Sequence, residues 1–429
     1  MIFFSLFGCI LIFLFTKSRR NVLLDPYTVF FISLLYYGFL IPICMVIFNE
    51  YLLPFQSYEI AVTGEDINRV SLLLFAGYLA FAIGYRLLVP PFYLDDLIAS
   101  VGAFGGNQGA TAQRFLGWFA TGLFAICLIF FSRQLLAVFS GYESKIEARY
   151  DASSFVLVYN LFLTTFCGFA VTSILYKKRF VGFTITIVVA LFVLSLATFS
   201  KEPMVYAAII LLAFGARTAP SRQLLTCGAA IAMAALLLIF VVPAFSIYRA
   251  TGELAFTNPA EVPLTFLFSD ANGPFSSIVL AVREQAQVAL GPLYESFTLW
   301  VPRWIWADRP LDAAEEYARG VMMDWQPGFG LGFSPFAEAH IRYGLAFSPI
   351  LMLIAGLFMA GTQRLIAMKL PTPMVPGLVL IMQGYTLFTA HRGAFSGLVT
   401  AMAQFWIPFL VIFLAVEHLR NPSSRSVTA

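Results

Sequence analysis

Residues able to do chemistry are few in this chain, and they gather in a handful of short segments. Lys201 stands in Thr198-Phe-Ser-Lys-Glu-Pro203, and Arg249 closes Ser246-Ile-Tyr-Arg249. Arg303 and Arg309 share the segment Val301-Pro-Arg-Trp-Ile-Trp-Ala-Asp-Arg-Pro310. Further on come Ser334-Pro-Phe-Ala-Glu338-Ala-His340-Ile-Arg342-Tyr-Gly344 and His391-Arg392-Gly393. Arginines match phosphate oxygens with paired donors and keep their charge when partly buried. A set of them at one boundary would suit an anionic head group, and fixed cations would stabilise a departing diphosphate as charge develops on it. Glu338, His340 and His391 are the candidates for taking a proton from an attacking hydroxyl.

Each of these residues also has a plainer use. Arginines near an apolar surface commonly snorkel to lipid head groups, and that reading suits Arg69, Arg133 and Arg149. Glu338 and Arg342 are four apart and can simply pair along a helix. Glu338 and His340 are two apart, about 200° around a helix, so they face different sides.

The elements that position these residues are membrane helices. Of 429 residues, 60% are hydrophobic and 11% charged, where a soluble chain carries about 25% charged. That excludes a soluble enzyme, a secreted disulfide scaffold and a disordered chain. Eleven apolar stretches approach the ~20 residues a spanning helix needs. They run over about 2–16, 27–48, 70–89, 115–132, 154–176, 180–200, 203–216, 223–248, 343–361, 374–390 and 395–416. The expected class is all-α: a polytopic membrane protein with about eleven transmembrane helices and one large loop. Residues 1–248 carry helices one to eight, 249–342 form the loop, and 343–429 carry the last three helices and a tail. Basic residues follow the first stretch (Lys17, Arg19, Arg20) instead of preceding it, which reads as an anchor and not as a cleaved signal.

Charge sorted by side sets the orientation. Fourteen basic and four acidic residues fall on one side of eleven spans, leaving twelve basic and nineteen acidic on the other. The formal +3 is thus +10 on the cytoplasmic side and −7 outside. All the candidate residues named above fall on the outside face. The 249–342 stretch is far longer than an ordinary connection and holds four of the six tryptophans: Trp300, Trp304, Trp306 and Trp325. Asp312-Ala-Ala-Glu315 starts a helix with a capping box, and Gly320 is a plausible stop.

Several classes find nothing to stand on. The cysteines (Cys9, Cys44, Cys127, Cys167, Cys227) lie in apolar runs with no CxxC pair. There is no nucleotide fingerprint, no DxD-like carboxylate pair for a metal and no basic-aromatic patch for nucleic acid. No cofactor and no metal are expected. Transporters show internal repeats and intramembrane charges, and neither is seen.

The layout resembles the oligosaccharide repeat unit polymerases of bacterial polysaccharide export, the O-antigen polymerase (Wzy) group. The resemblance rests on Pro302-Arg303-x-x-Trp306-x-x-Arg309-Pro310, on Gly330-Leu-Gly-Phe-Ser-Pro335, and on Glu338 shortly before Arg342-Tyr-Gly344. The Phe199-Ser-Lys-Glu turn and the spacing Arg309…Gly320 and Arg319…Gly330 add to it. It implies a GT-C-like glycosyltransferase in the bacterial inner membrane, active on the periplasmic face. Donor and acceptor would both be undecaprenyl-diphosphate-linked glycans, the partners being the bilayer, a chain-length regulator and a flippase. Arg249, Arg309 and Arg392 would bind the diphosphate, supported by Arg303 and Lys201, with Glu338, His340 or His391 as base. An O-antigen ligase shares that layout, and a polysaccharide flippase is the reading from another class. On this reading Arg309→Ala stays in the membrane but makes no long glycan chains on a gel; unchanged chain length would remove Arg309 from the site.

Overall fold

A computed structural model describes residues 1–17, 25–49, 51–55, 58–91, 93, 272–283, 288–299, 301, 305–322, 332–369, 390, 391 and 393–401. It also describes 122, 125, 126, 129, 163, 166, 167, 188–191, 204, 206–211, 384, 386, 387 and 406. The fold is helical. Among the described residues three helices are long and apolar enough to cross a membrane: Pro26–Phe48, Gly64–Leu88 and Pro335–Leu365. The stretches expected to span between 115 and 248 and beyond 370 lie largely outside the described residues.

Helix α1 (Ile2–Thr16) leads into α2 (Pro26–Phe48), which contains a π-turn at Leu35–Phe39. Asp25 starts α2 by accepting the Tyr27 backbone N–H at 3.1 Å, and Pro26 costs no hydrogen bond at the first position. The π-turn precedes Pro42, whose ring would otherwise meet the carbonyl four residues earlier. A two-stranded antiparallel hairpin follows, β1 (Leu52–Phe55) with β2 (Tyr58–Ala61), pairing Leu53 with Ile60. Helix α3 (Gly64–Leu88) then begins on a capping box in which Thr63 and Asp66 satisfy each other's backbone N–H groups.

Helix α6 (Pro335–Lys369) lies along α3 with almost no space between the backbones. A Cβ on Gly84 would stand 2.4 Å from the Leu353 carbonyl oxygen, and one on Gly356 would stand 2.4 Å from that of Phe81. Small residues at such a crossing let dispersion act over the whole face, which matters in lipid, where apolar burial supplies no drive between helices.

Helix α6 is not one straight rod. Gly344 sits at φ 68°, ψ 176°, a region open essentially to glycine alone. There the chain folds back. A Cβ on Gly77 of α3 would lie 2.6 Å from Phe336 and 3.3 Å from Met352, so residues eight before and eight after the break reach one level. Residues 335–343 therefore form a limb tucked into the bundle beside the helix that follows.

Inside the stretch expected as a loop lies a second buried element, α4 (Asn272–Val282). Every residue of it but Gly273 is buried, as befits a helix apolar around its circumference. Its hydroxyls are satisfied locally: Ser276 donates to Asn272 Oδ1 at 2.5 Å and Ser277 to the Pro274 carbonyl at 2.7 Å. Arg283, just past its end, pairs with Asp66 and so fixes α4 to the hairpin end of the bundle. The remaining elements are a 3₁₀ turn (Leu293–Phe297), α5 (Ala313–Val321) and α7 (Phe395–Ala401). Gly84→Leu and Gly356→Leu should each force the two backbones apart and cost about 1–3 kcal/mol or more. Thermal unfolding in detergent reads this out, with a surface change such as Glu65→Gln leaving the midpoint in place.

Candidate functional site

Glu338 lies on the tucked limb and is fully buried. Its Oε1 accepts from Arg342 Nε at 2.9 Å, and its Oε2 accepts the Phe395 backbone N–H at 2.6 Å. The i,i+4 pairing read from the sequence is thus real, but it is half of the arrangement. The other oxygen reaches across the fold to the first residue of α7, an orphan donor at a helix start.

Arg342 carries the arrangement onward. Its Nη1 donates to the carbonyl of Gly291, and the Gly291 N–H donates to Glu316 Oε2 at 2.8 Å. Gly291 is therefore held from both sides, by the limb and by α5. A Cβ there would stand 2.5 Å from Glu295 Oε2 and 3.2 Å from Glu316 Oε1, so only glycine lets the two carboxylates close over it. Burial, reinforced by the Glu295 and Asp312 charges, pushes the Glu316 carboxyl above its usual range.

Helix α5 starts as its sequence indicates: Asp312 accepts from the Ala314 N–H at 2.6 Å, and Glu315 reaches back to the Asp312 N–H. Burial raises the Asp312 carboxyl, while the Ala314 N–H, the Ser396 hydroxyl and Arg309 work the other way. Arg309 donates from Nη1 to the Leu299 carbonyl, and to that of Val301 at 2.9 Å, so part of its guanidinium fastens the end of the 3₁₀ segment. On the apolar side Phe297 packs edge-on against Phe358 and Phe395, and Tyr317 packs on Phe333.

The two histidines have different settings. His391 is buried with its ring between Phe30, at 4.3 Å, and Phe336, at 5.5 Å. Burial holds its imidazole down at about 3, so it is neutral and its Nε2–H donates to the Phe30 carbonyl at 3.2 Å. His340 is half-buried on the limb, beside Glu338 in sequence but on another face. Lys201, Arg249, Arg303 and Arg392 lie outside the described residues. Among the described residues no group of three or more His, Cys, Asp or Glu could hold a metal ion.

The segment that carries this arrangement is also the one with a known counterpart. Residues 312–420 match the family model of the O-antigen polysaccharide polymerase Wzy. The match bears out the resemblance to the Wzy group over the C-terminal quarter of the chain. It begins at the Asp312 cap and takes in Glu316, Glu338, His340, Arg342, His391 and α7, while Lys201, Arg249, Arg303 and Arg309 precede it. Comparison with curated proteins and with solved structures gives no match.

Sequence reasoning passed over Glu295, Glu316 and Gly291. No local spacing joins residues 291 and 342. The one available hint was a glycine-proline pair, Gly291-Pro292, ahead of an acidic turn. Glu338→Ala should leave Arg342 buried without its charge partner, a loss of about 3–5 kcal/mol. Glu338→Gln, which keeps an acceptor, should lose less. The unfolding midpoints of the purified variants decide the order, and equal midpoints would place the pair outside the stabilising core.

Proposed function

We propose that the chain polymerises undecaprenyl-diphosphate-linked oligosaccharide repeat units into a surface polysaccharide on the periplasmic face of the inner membrane. The observation that carries this reading is the Wzy family match over residues 312–420, because it coincides with the segment knotted together by Glu338. The helical, apolar character of the chain is in keeping with substrates that are themselves lipid-anchored.

In the reaction, a hydroxyl at the non-reducing end of the incoming lipid-linked unit attacks the anomeric carbon of the growing polymer. The glycosyl–oxygen bond to undecaprenyl diphosphate breaks, the hydroxyl proton passes to a base, and the polymer moves en bloc. The diphosphate leaves carrying the electron pair, and cations placed where that charge develops lower the barrier. Lys201, Arg249, Arg303, Arg309 and Arg392 are the proposed cations. Glu338 and His340 are the proposed proton acceptors. His391, neutral and enclosed by aromatic rings, suits a packing role beside them.

Deleting the gene tests the reading against its neighbours. A polymerase-null cell should cap its lipid A with single repeats, whereas a ligase-null cell caps it with none. Purified chain supplied with lipid-linked repeat units should yield longer product, which a flippase does not. Single-length product in that assay would refute polymerisation.

A further inference from the structure

The segment 288–299 forms a strap tied to the limb where Arg342 donates to the Gly291 carbonyl. We propose that Arg342 is a positioning residue that latches this strap, and that an arriving lipid-linked diphosphate releases it. The inference rests on the polymerase reading and names how that site would open.

Three observations point to a latch. First, Glu338 has no exposed surface and both its oxygens are engaged, so in this conformation it cannot meet a sugar hydroxyl. Second, Arg342 divides one guanidinium between unlike partners, the charged Glu338 and the neutral Gly291 carbonyl. Third, the middle of the strap is open on its outer side: Tyr294 and Phe297 are exposed at 68% and 46%, while Ser296 and Leu299 are buried. Its other polar ties among the described residues are Glu316 to the Gly291 N–H and Arg309 at the far end.

A phosphate oxygen is a stronger guanidinium partner than a neutral carbonyl, because charge-assisted hydrogen bonds are about twice as strong as neutral ones. An anion that reaches Arg342 therefore displaces Gly291 before it displaces Glu338. That exchange costs the strap its tie to the limb beside Glu338. Glu295 and Glu316, crowded over Gly291, repel anions that arrive free in solution. A diphosphate delivered along the bilayer by its lipid tail approaches from the apolar side, and this selects the lipid-linked form.

Hydrogen exchange of the 288–299 amides in the full chain, read by mass spectrometry in detergent or nanodiscs, tests the latch. Undecaprenyl diphosphate should speed exchange several-fold, and inorganic diphosphate at the same concentration should not. Arg342→Gln should exchange fast without ligand and no longer respond to it, while Arg342→Lys falls between. A purely structural arginine would loosen the strap when replaced but would show no ligand response in the unaltered chain. Exchange that undecaprenyl diphosphate leaves unchanged or slows overturns the proposal, as does an equal response to inorganic diphosphate. Faster exchange without glycan elongation would retain the latch and refute the polymerase reading. Elongation with unchanged exchange would do the reverse.

Discussion

A carboxylate with no exposed surface is costly unless each of its oxygens finds a donor, and Glu338 meets that condition by joining three parts of the chain. Its own limb supplies Arg342, α7 supplies the Phe395 N–H, and Arg342 extends the linkage to Gly291. None of the three could be placed independently of the others. The break at Gly344 accompanies this arrangement, with the limb before it folded back so that residue 338 lies beside residue 395. The helix that follows is then left to pack along α3.

The two ends of the described bundle repeat this device in other residues. At the hairpin end, Asp66 serves both as a cap for α3 and as the partner of Arg283, and so ties the buried α4 in place. At the opposite end, Asp25 caps α2 and pairs with Arg86 at 2.5 Å, and the guanidinium lies 4.4 Å over the Tyr27 ring. Tyr85 there donates to Gln363 at 2.5 Å, joining α3 to α6. Between the ends the contacts are apolar and close, with glycines where backbones touch. Dispersion alone would leave parallel apolar helices free to slide, and paired charges at the ends set their register.

This division bears on how the proposed chemistry is arranged. Arginine charge at the described site is already committed: Arg342 to Glu338 and Gly291, and part of Arg309 to backbone carbonyls. The neighbourhood of Gly291 is acidic, with Glu295 and Glu316 facing one another. Such surroundings suit a glycan hydroxyl better than a resting diphosphate.

Local rules carried a good part of this legibility. Apolar length marked the spans containing α2 and α3, the Asp312-x-x-Glu315 box marked the start of α5, and the four-residue spacing marked the Glu338–Arg342 pair. The resemblance to the Wzy polymerases was likewise readable from residues 300–345, because short motifs of rare polar residues stand out against so apolar a background. The tertiary structure decided the rest. An eleven-residue apolar helix such as α4 is too short to register as a span, so its burial depends on neighbours distant in sequence. Whether a glycine bends a chain depends on the φ it is given, and Gly344 takes +68° in a fold where Glu338 reaches Phe395. The hold on Gly291 joins residues 291, 316 and 342, a link that no periodicity encodes. The sequence by itself therefore determined the helical, apolar character of the chain and the Glu338–Arg342 pair. The fold determined which further residues meet, because a buried charge chooses partners by proximity in space.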